Sequence, residues 1–225
     1  PAVGCAADTS VCIDAAATQE PISPYVYGQF IEHLGRCIYG GIWAEMLEDR
    51  KFYYPVDGKQ SGWEMHKGKD VVWEGHGIPY EILIASPWQI IGPPDAVTMN
   101  TEEPFVGEHD PVITLSGGEE PRGIYHPRLA LEKGRDYVGY VILKGTGEVS
   151  RVEVALQWGD TAEEITTIAA PGDGFNKYEF TATAGEDAED GKLAIRCFGN
   201  GAVHIGAVSL MPADNVDGFR EDTLA

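Results

Sequence analysis

The chain has 225 residues, room for one large domain or for one compact domain with flanking pieces. Its 16 basic and 36 acidic residues give a formal net charge of −20, which repels phosphate backbones and excludes nucleic acid as a partner. Hydrophobic residues at 43% and charged residues at 23% are ordinary for a folded protein, so the acidity belongs to a solvated surface, and no apolar run is long enough for a membrane-spanning segment.

The first residues, Pro1-Ala-Val-Gly-Cys5-Ala-Ala-Asp8, have the small-residue character of the end of an export signal, with Cys5 a candidate lipidation site; a flexible leader is the alternative. We expect an exported protein, periplasmic, extracellular or lipid-anchored. Residues 10–17 form a short strand candidate, and the proline-containing stretch after them can continue neither a helix nor a ladder. Tyr25–Ile31 is aromatic and β-branched and predicts a buried strand. After Gly40 and Gly41, the spacing of Ile42, Met46, Leu47 and Arg50 predicts a short amphipathic helix over 42–52, followed by an irregular stretch to Lys69.

From about residue 70 to 212 the chain changes to short alternating runs broken by Gly, Pro, Asp and Asn, the pattern of a β-sandwich. In Val152, Val154, Leu156 and Trp158 the apolar side chains sit two apart, with Arg151, Glu153 and Gln157 facing the other way. Comparable runs are Ala96–Met99, Val112–Leu115, Tyr137–Leu143, Tyr178–Thr183, Leu193–Phe198 and Val203–Leu210, enough strands for a jelly roll. With 28 Gly and 14 Pro in the chain, the turns are well supplied. Beyond Pro212, Asp214-Asn215 reads as an N-cap region and Val216, Phe219, Arg220, Thr223 and Leu224 as the start of a helix that stops at Ala225 with no C-cap signal, as if the rest lay elsewhere.

The stretch Ile22-Ser-Pro-Tyr-Val-Tyr-Gly-Gln-Phe-Ile-Glu-His-Leu-Gly-Arg-Cys-Ile-Tyr-Gly-Gly-Ile-Trp43 resembles the N-terminal signature of family 51 glycoside hydrolases, the α-L-arabinofuranosidases. Its continuation Ala44-Glu-Met-Leu-Glu-Asp-Arg-Lys-Phe52 resembles the branch of that family with a carbohydrate-binding-module-like insert, and Phe219-Arg-Glu-Asp-Thr-Leu-Ala225 resembles the first barrel helix. Residues 70–212 separately resemble a family-4-type carbohydrate-binding jelly roll, through Gly174-Phe-Asn-Lys-Tyr-Glu-Phe180 and Val203-His-Ile-Gly-Ala-Val-Ser-Leu210. The resemblance implies a mainly β chain, a jelly-roll β-sandwich inserted into the start of a (β/α)8 barrel whose remainder is not in this chain. The expected division is a leader and N-terminal strand at 1–23, the first barrel strand and short helix at 24–67, the sandwich at 68–212 and the start of the first barrel helix at 213–225.

The function implied is part of an α-L-arabinofuranosidase that removes terminal non-reducing α-L-arabinofuranosyl groups from arabinan or arabinoxylan. The alternative is a non-catalytic carbohydrate-binding module. The family's retaining chemistry needs two carboxyl groups about 5 Å apart, and no residue here matches either of its catalytic motifs. The partners implied are an arabinose-containing polysaccharide and the remaining barrel of the same enzyme, with an oligomer also compatible. No cofactor or metal is expected.

Among individual residues, Glu32 closes the presumed first barrel strand, where active-site groups gather. By resemblance it is the glutamate that accepts hydrogen bonds from arabinofuranose hydroxyls, for which a bidentate carboxylate is suited. His33 and Arg36 stand beside it as ion-pair partners or substrate contacts, and Cys37 reads as a small apolar core residue. The cysteines at 5, 12, 37 and 197 fit neither a disulfide scaffold nor a thiolate metal site, and the histidines at 33, 66, 76, 109, 126 and 204 lack ligand spacing. Glu102-Glu103, Glu119-Glu120 and Glu163-Glu164 read as solvated turns, with calcium binding as the alternative. For stacking on a sugar, Tyr125 in Gly-Ile-Tyr-His-Pro and Trp158 in Gln-Trp-Gly-Asp stand out, because turn-forming neighbours put them near strand ends; core packing is the competing role for each.

Overall fold

A computed structural model of the chain describes residues 41–58, 62–66 and 80–224. The chain divides into two units, Pro1–Cys37 and Ile38–Ala225, and all described residues belong to the second. The strand expected at Tyr25–Ile31 lies outside the described residues.

Alternating side chains make strands almost throughout. A two-stranded antiparallel ribbon, β1 (Trp63–His66) and β2 (Tyr80–Leu83), precedes an eight-stranded antiparallel sheet. Its members are β3 (Gln89–Ile91), β4 (Val97–Asn100), β5 (Asp110–Ser116), β6 (Arg122–Leu131), β7 (Asp136–Gln157), β8 (Glu163–Ala169), β9 (Asn176–Thr183) and β10 (Ala188–Pro212).

The sheet folds over on itself because β7 and β10 each run through both layers. The first half of β10 pairs with β6 and with the second half of β7, and the second half pairs with β5 and the first half of β7. One layer therefore reads β3-β6-β10-β7-β8 and the other β4-β5-β10-β7-β9. The fold line falls at Gly145-Thr-Gly147 and Gly199-Asn-Gly201, with a register shift between Phe198 and Gly199. Gly199 and Gly201 take φ of +116° and +142°, values that an L side chain rarely adopts. A Cβ on either would overlap the backbone of the facing strand.

This changes one expectation. The runs 137–143 and 152–158, expected as two strands, fall in the two halves of β7, with Trp158 just past its end, and 193–198 and 203–210 are halves of β10. The glycines bend the ladder without ending it.

Val152, Val154 and Leu156 are buried as the alternation requires, and they join Ile124, Leu193 and Ile195 from their own layer and Ile113, Val141, Leu143, Val203 and Ile205 from the other in one core. Leu47, Phe52 and Val56 belong to that same core.

The helix expected over 42–52 is absent. Beyond His204, β10 has β7 on one side and, among the described residues, no strand on the other, and such an edge leaves backbone groups to be paired. The segment supplies them: Met46 N–H donates to the Leu210 carbonyl (2.9 Å) and Val208 N–H to the Arg50 carbonyl (3.0 Å). Those bonds outweigh helical spacing, and the turn beyond them is completed with Asp49 and Phe52 at φ +50° and +57°.

The helix expected from Asp214 onward is also displaced, to α1 (Glu221–Leu224). Asn215 does not cap it. Its side chain instead donates to the Pro212 carbonyl (2.6 Å) and accepts from Gly218 N–H (3.0 Å), closing a turn. Asp217-Gly218, at φ +52° and +87°, have the positive φ pair of a type I′ hairpin turn, and Val216 and Phe219 exchange both backbone hydrogen bonds across it (2.9 Å each).

Candidate functional site

Glu32, with its neighbours His33, Arg36 and Cys37, lies outside the described residues. What is described is how the sandwich is reached and left. Ala44 N–H donates to the Gly218 carbonyl (2.8 Å) and Arg220 N–H to the Ile42 carbonyl (2.9 Å), with Trp43 bridged to Phe219. The chain thus comes into the sandwich and goes out of it side by side, antiparallel.

Next to this junction Glu45 is buried with its carboxylate fully engaged. It accepts from Ser209 O–H (2.7 Å), Leu210 N–H (3.0 Å) and Leu47 N–H (3.2 Å). Burial raises its pKa, against the pull of those hydrogen bonds and of Arg50. Arg50 in turn donates to Tyr140 Oη (3.0 Å) and lies over the Trp43 ring at 5.2 Å.

The turn that follows is built around Asp49, whose carboxylate accepts from Tyr53 N–H (2.6 Å) and Tyr54 N–H (3.2 Å). Burial lifts its pKa to about 6. Beneath it, His126 is buried edge-on to Trp88, with ring centres 5.2 Å apart. His126 Nδ1 lies 2.8 Å from the Pro127 carbonyl, which can only accept, so Nδ1 carries the proton and Nε2 accepts from Glu48 N–H (3.2 Å). Burial pushes the imidazole pKa down to about 4, so it is neutral at physiological pH.

The described cavity sits at the end of the first layer. The β7–β8 turn and the start of β10 enclose a cleft of about 320 Å³ whose lining includes Trp158, Gln157, Asp160, Glu189, Asp190 and Lys192. Trp158 N–H donates to the Ala162 carbonyl (3.0 Å), closing the turn. Its indole lies against Gly185, where a Cβ would come within 2.8 Å of the ring. Lys192 is cross-strand from Gln157, and Gln157 Nε2 donates to Glu163 (2.6 Å). Glu163 also pairs with Arg196 at 2.9 Å, and its pKa is lowered by that pairing, which overcomes the opposing effect of burial.

Tyr125 and Trp158, singled out together in the sequence, stand around one cation. Trp158 lines the cleft with Lys192, and the Lys192 ammonium lies 5.7 Å from the centre of the Tyr125 ring. Tyr125, however, is inside β6 and not at a strand end. The proline after His126 is accommodated where the β6–β10 register shifts between Gly191 and Leu193, beside Arg128 at φ +63°.

Glu189, Asp190 and Lys192 reach the cleft through the start of β10, and no local sequence signal marks them as site residues. On the opposite layer a second group also escaped the sequence. Phe105 is 44% exposed and 5.4 Å from Phe175, which is 6.2 Å from His204; Asp110 holds His204 Nδ1 at 3.1 Å. Among the described residues no three His, Cys, Asp or Glu side chains group closely enough to hold a metal ion. Glu163 is occupied by Arg196, and Glu164 accepts from Thr183 N–H (2.7 Å). Cys197 is fully buried and its thiol pKa is raised by that burial, as for an inert core residue.

No protein-family model matches the chain. It is similar over 96% of its length, at 27% identity, to an extracellular exo-α-L-arabinofuranosidase of Streptomyces chartreusis, of which it covers 24%. It is similar over 93%, at 24% identity, to α-L-arabinofuranosidase 2 of Arabidopsis thaliana, of which it covers 31%. Among solved structures, an arabinose-bound GH51 α-L-arabinofuranosidase superposes with a TM-score of 0.57 at 13% identity, over 85% of this chain and 30% of that one. The chain therefore resembles α-L-arabinofuranosidases along nearly its whole length while spanning 24% to 31% of theirs.

Proposed function

We propose that this chain is the N-terminal part of an α-L-arabinofuranosidase, with a sandwich inserted between the first strand and the first helix of a catalytic barrel. The observation that carries this reading is the junction at Ile42–Ala44 and Gly218–Arg220, where the two connections run together as an inserted domain requires. The similarity to arabinofuranosidases on both flanks and through the sandwich supports the same reading. Glu32 binds the arabinofuranose hydroxyls from the end of the first strand, and the two reacting carboxylates of a retaining site belong to the remainder of the enzyme. The substrates are arabinan or arabinoxylan side groups. Export fits the extracellular relative.

The test compares hydrolysis of an aryl α-L-arabinofuranoside by the 225-residue chain and by a protein continued to the length of its relatives. The long form turns over and the short one does not. Glu32→Ala in the long form removes a charge-assisted hydrogen bond of roughly 1.5–3 kcal/mol, lowering kcat/KM by about 10- to 150-fold with the fold intact. Turnover by the short chain above a buffer blank, or unchanged kcat/KM in Glu32→Ala, overturns the respective assignment.

A further inference from the structure

We infer that the cleft around Trp158 is a binding site for a neutral saccharide, one or two sugar rings at the end or branch of a glycan. The inference rests on the glycosidase reading for the identity of the glycan, and on the cleft for everything else.

At about 320 Å³ the cleft is at the small end of the range for ligand sites, roughly 300–1,000 Å³, so it takes a ring or two and not a wrapped chain. Its apolar element is an indole fixed against the Gly185 backbone, the kind of flat surface that the C–H face of a sugar covers. Around it stand both hydrogen-bonding types a polyol needs. Lys192 offers an ammonium with three N–H donors and has no carboxylate partner among the described residues, only the Tyr125 ring at 5.7 Å. Gln157 has committed its Nε2 to Glu163, which leaves its carbonyl oxygen to accept. Asp190 uses Oδ1 on Arg128 N–H (3.1 Å) and retains its second oxygen, while Asp160 and Glu189 are exposed acceptors.

Charge decides between ligand classes. Three carboxylates against one ammonium repel phosphorylated or uronic ligands, and the same carboxylates are not grouped closely enough to hold a metal ion. Among ligands without a like charge, the indole and the mixed donors and acceptors suit a polyhydroxylated, uncharged one. The groups are also held in place: Gln157, Lys192 and Glu163 sit in one cross-strand row, so the site is carried by the sheet.

The experiment is calorimetric titration of the 225-residue chain with arabinotriose, xylotriose and, as the charged control, tri-galacturonate. The expected result is weak binding of at least one neutral trisaccharide and none of the charged one. Trp158→Ala weakens that binding at least tenfold. Since Trp158 also packs on the core, Asp160→Ala at the exposed turn is the second variant; it weakens binding severalfold at an unchanged melting temperature. Phe105→Ala, on the opposite layer, binds like the parent. Binding that survives in both Trp158→Ala and Asp160→Ala, binding lost only in Phe105→Ala, or no binding of any neutral probe overturns the inference. Hydrolysis by the long form is scored separately, so an active enzyme whose cleft binds nothing leaves the glycosidase reading standing and removes the cleft.

Discussion

A half-buried carboxylate in the 48–54 turn, Asp49, and the buried imidazole that packs beside it, His126, titrate in opposite directions over the same pH range. His126 has a pKa near 4 when folded against 6.5 in the unfolded chain, so the unfolded state binds more protons between those values and stability is lost as pH falls through them. Asp49 is raised to about 6 from 3.8, so the folded state binds more protons over that window and stability grows as pH falls. Glu45, raised by burial, acts in the same direction as Asp49. The parent protein should therefore show a flatter acid response than either group alone would give. His126→Gln removes one side of the balance. Its melting temperature relative to the parent should rise between pH 6.5 and pH 4.5, by the equivalent of on the order of 2 kcal/mol, whatever its absolute loss from poorer packing. A gap between variant and parent that is the same at both pH values would mean that His126 titrates as it does in the unfolded chain.

At the scale of elements, the two glycine-flanked bends decide whether the sheet becomes a sandwich. Gly201 has φ +142° and its Cβ would overlap Thr146, so Gly201→Ala combines backbone strain with a clash against the facing strand and should cost 2 kcal/mol or more, by the order of such strain energies. Gly174 has open space around it and no unusual φ, so Gly174→Ala should stay within about 0.5 kcal/mol of the parent. Urea midpoints for the two variants make the comparison, and equal losses would show that the bend does not depend on Gly201. Alternation made Val152, Val154 and Leu156 legible as one buried face, but sequence cannot distinguish a glycine that ends a strand from one that bends it, so β7 and β10 were each read as two. The 42–52 segment departs from its helical spacing for a related reason: Ile42, Met46 and Leu47 keep that spacing, and the edge of β10 that overrides it lies about 160 residues away in the chain. Asp217-Gly218 carries a hairpin-turn signal in the sequence, but the N-cap reading of Asp214-Asn215 competes with it there, and the turn wins in the structure. Trp158 was found because its turn chemistry is local, whereas Lys192 joins it only through the register of β10 on β7.

For the whole molecule, the question is where the sandwich begins as a folding unit. Leu47, Phe52 and Val56 are 5%, 1% and 2% exposed and share the core with residues from both layers. Phe52 also packs on Trp88, ring centres 5.4 Å apart, and Trp88 Nε1 donates to the Asp49 carbonyl (3.2 Å). The same segment closes the free edge of β10 through Met46 and Arg50 and fills the pocket of donors around Glu45. A fragment starting at residue 70 leaves Trp88 uncovered, the β10 edge open and the Ser209 hydroxyl without its carboxylate. Losing one large buried side chain typically costs about 2–5 kcal/mol, and losing Leu47, Phe52 and Val56 together approaches the roughly 5–15 kcal/mol that a domain has in total. A fragment spanning residues 42–220 should therefore unfold in one cooperative transition and resist limited proteolysis, while a fragment spanning 70–212 should melt far lower or not fold at all. If the shorter fragment is as resistant and melts as high as the longer one, the 42–56 segment is a passenger on the sandwich, and the contacts around Phe52 and Glu45 contribute nothing to its stability.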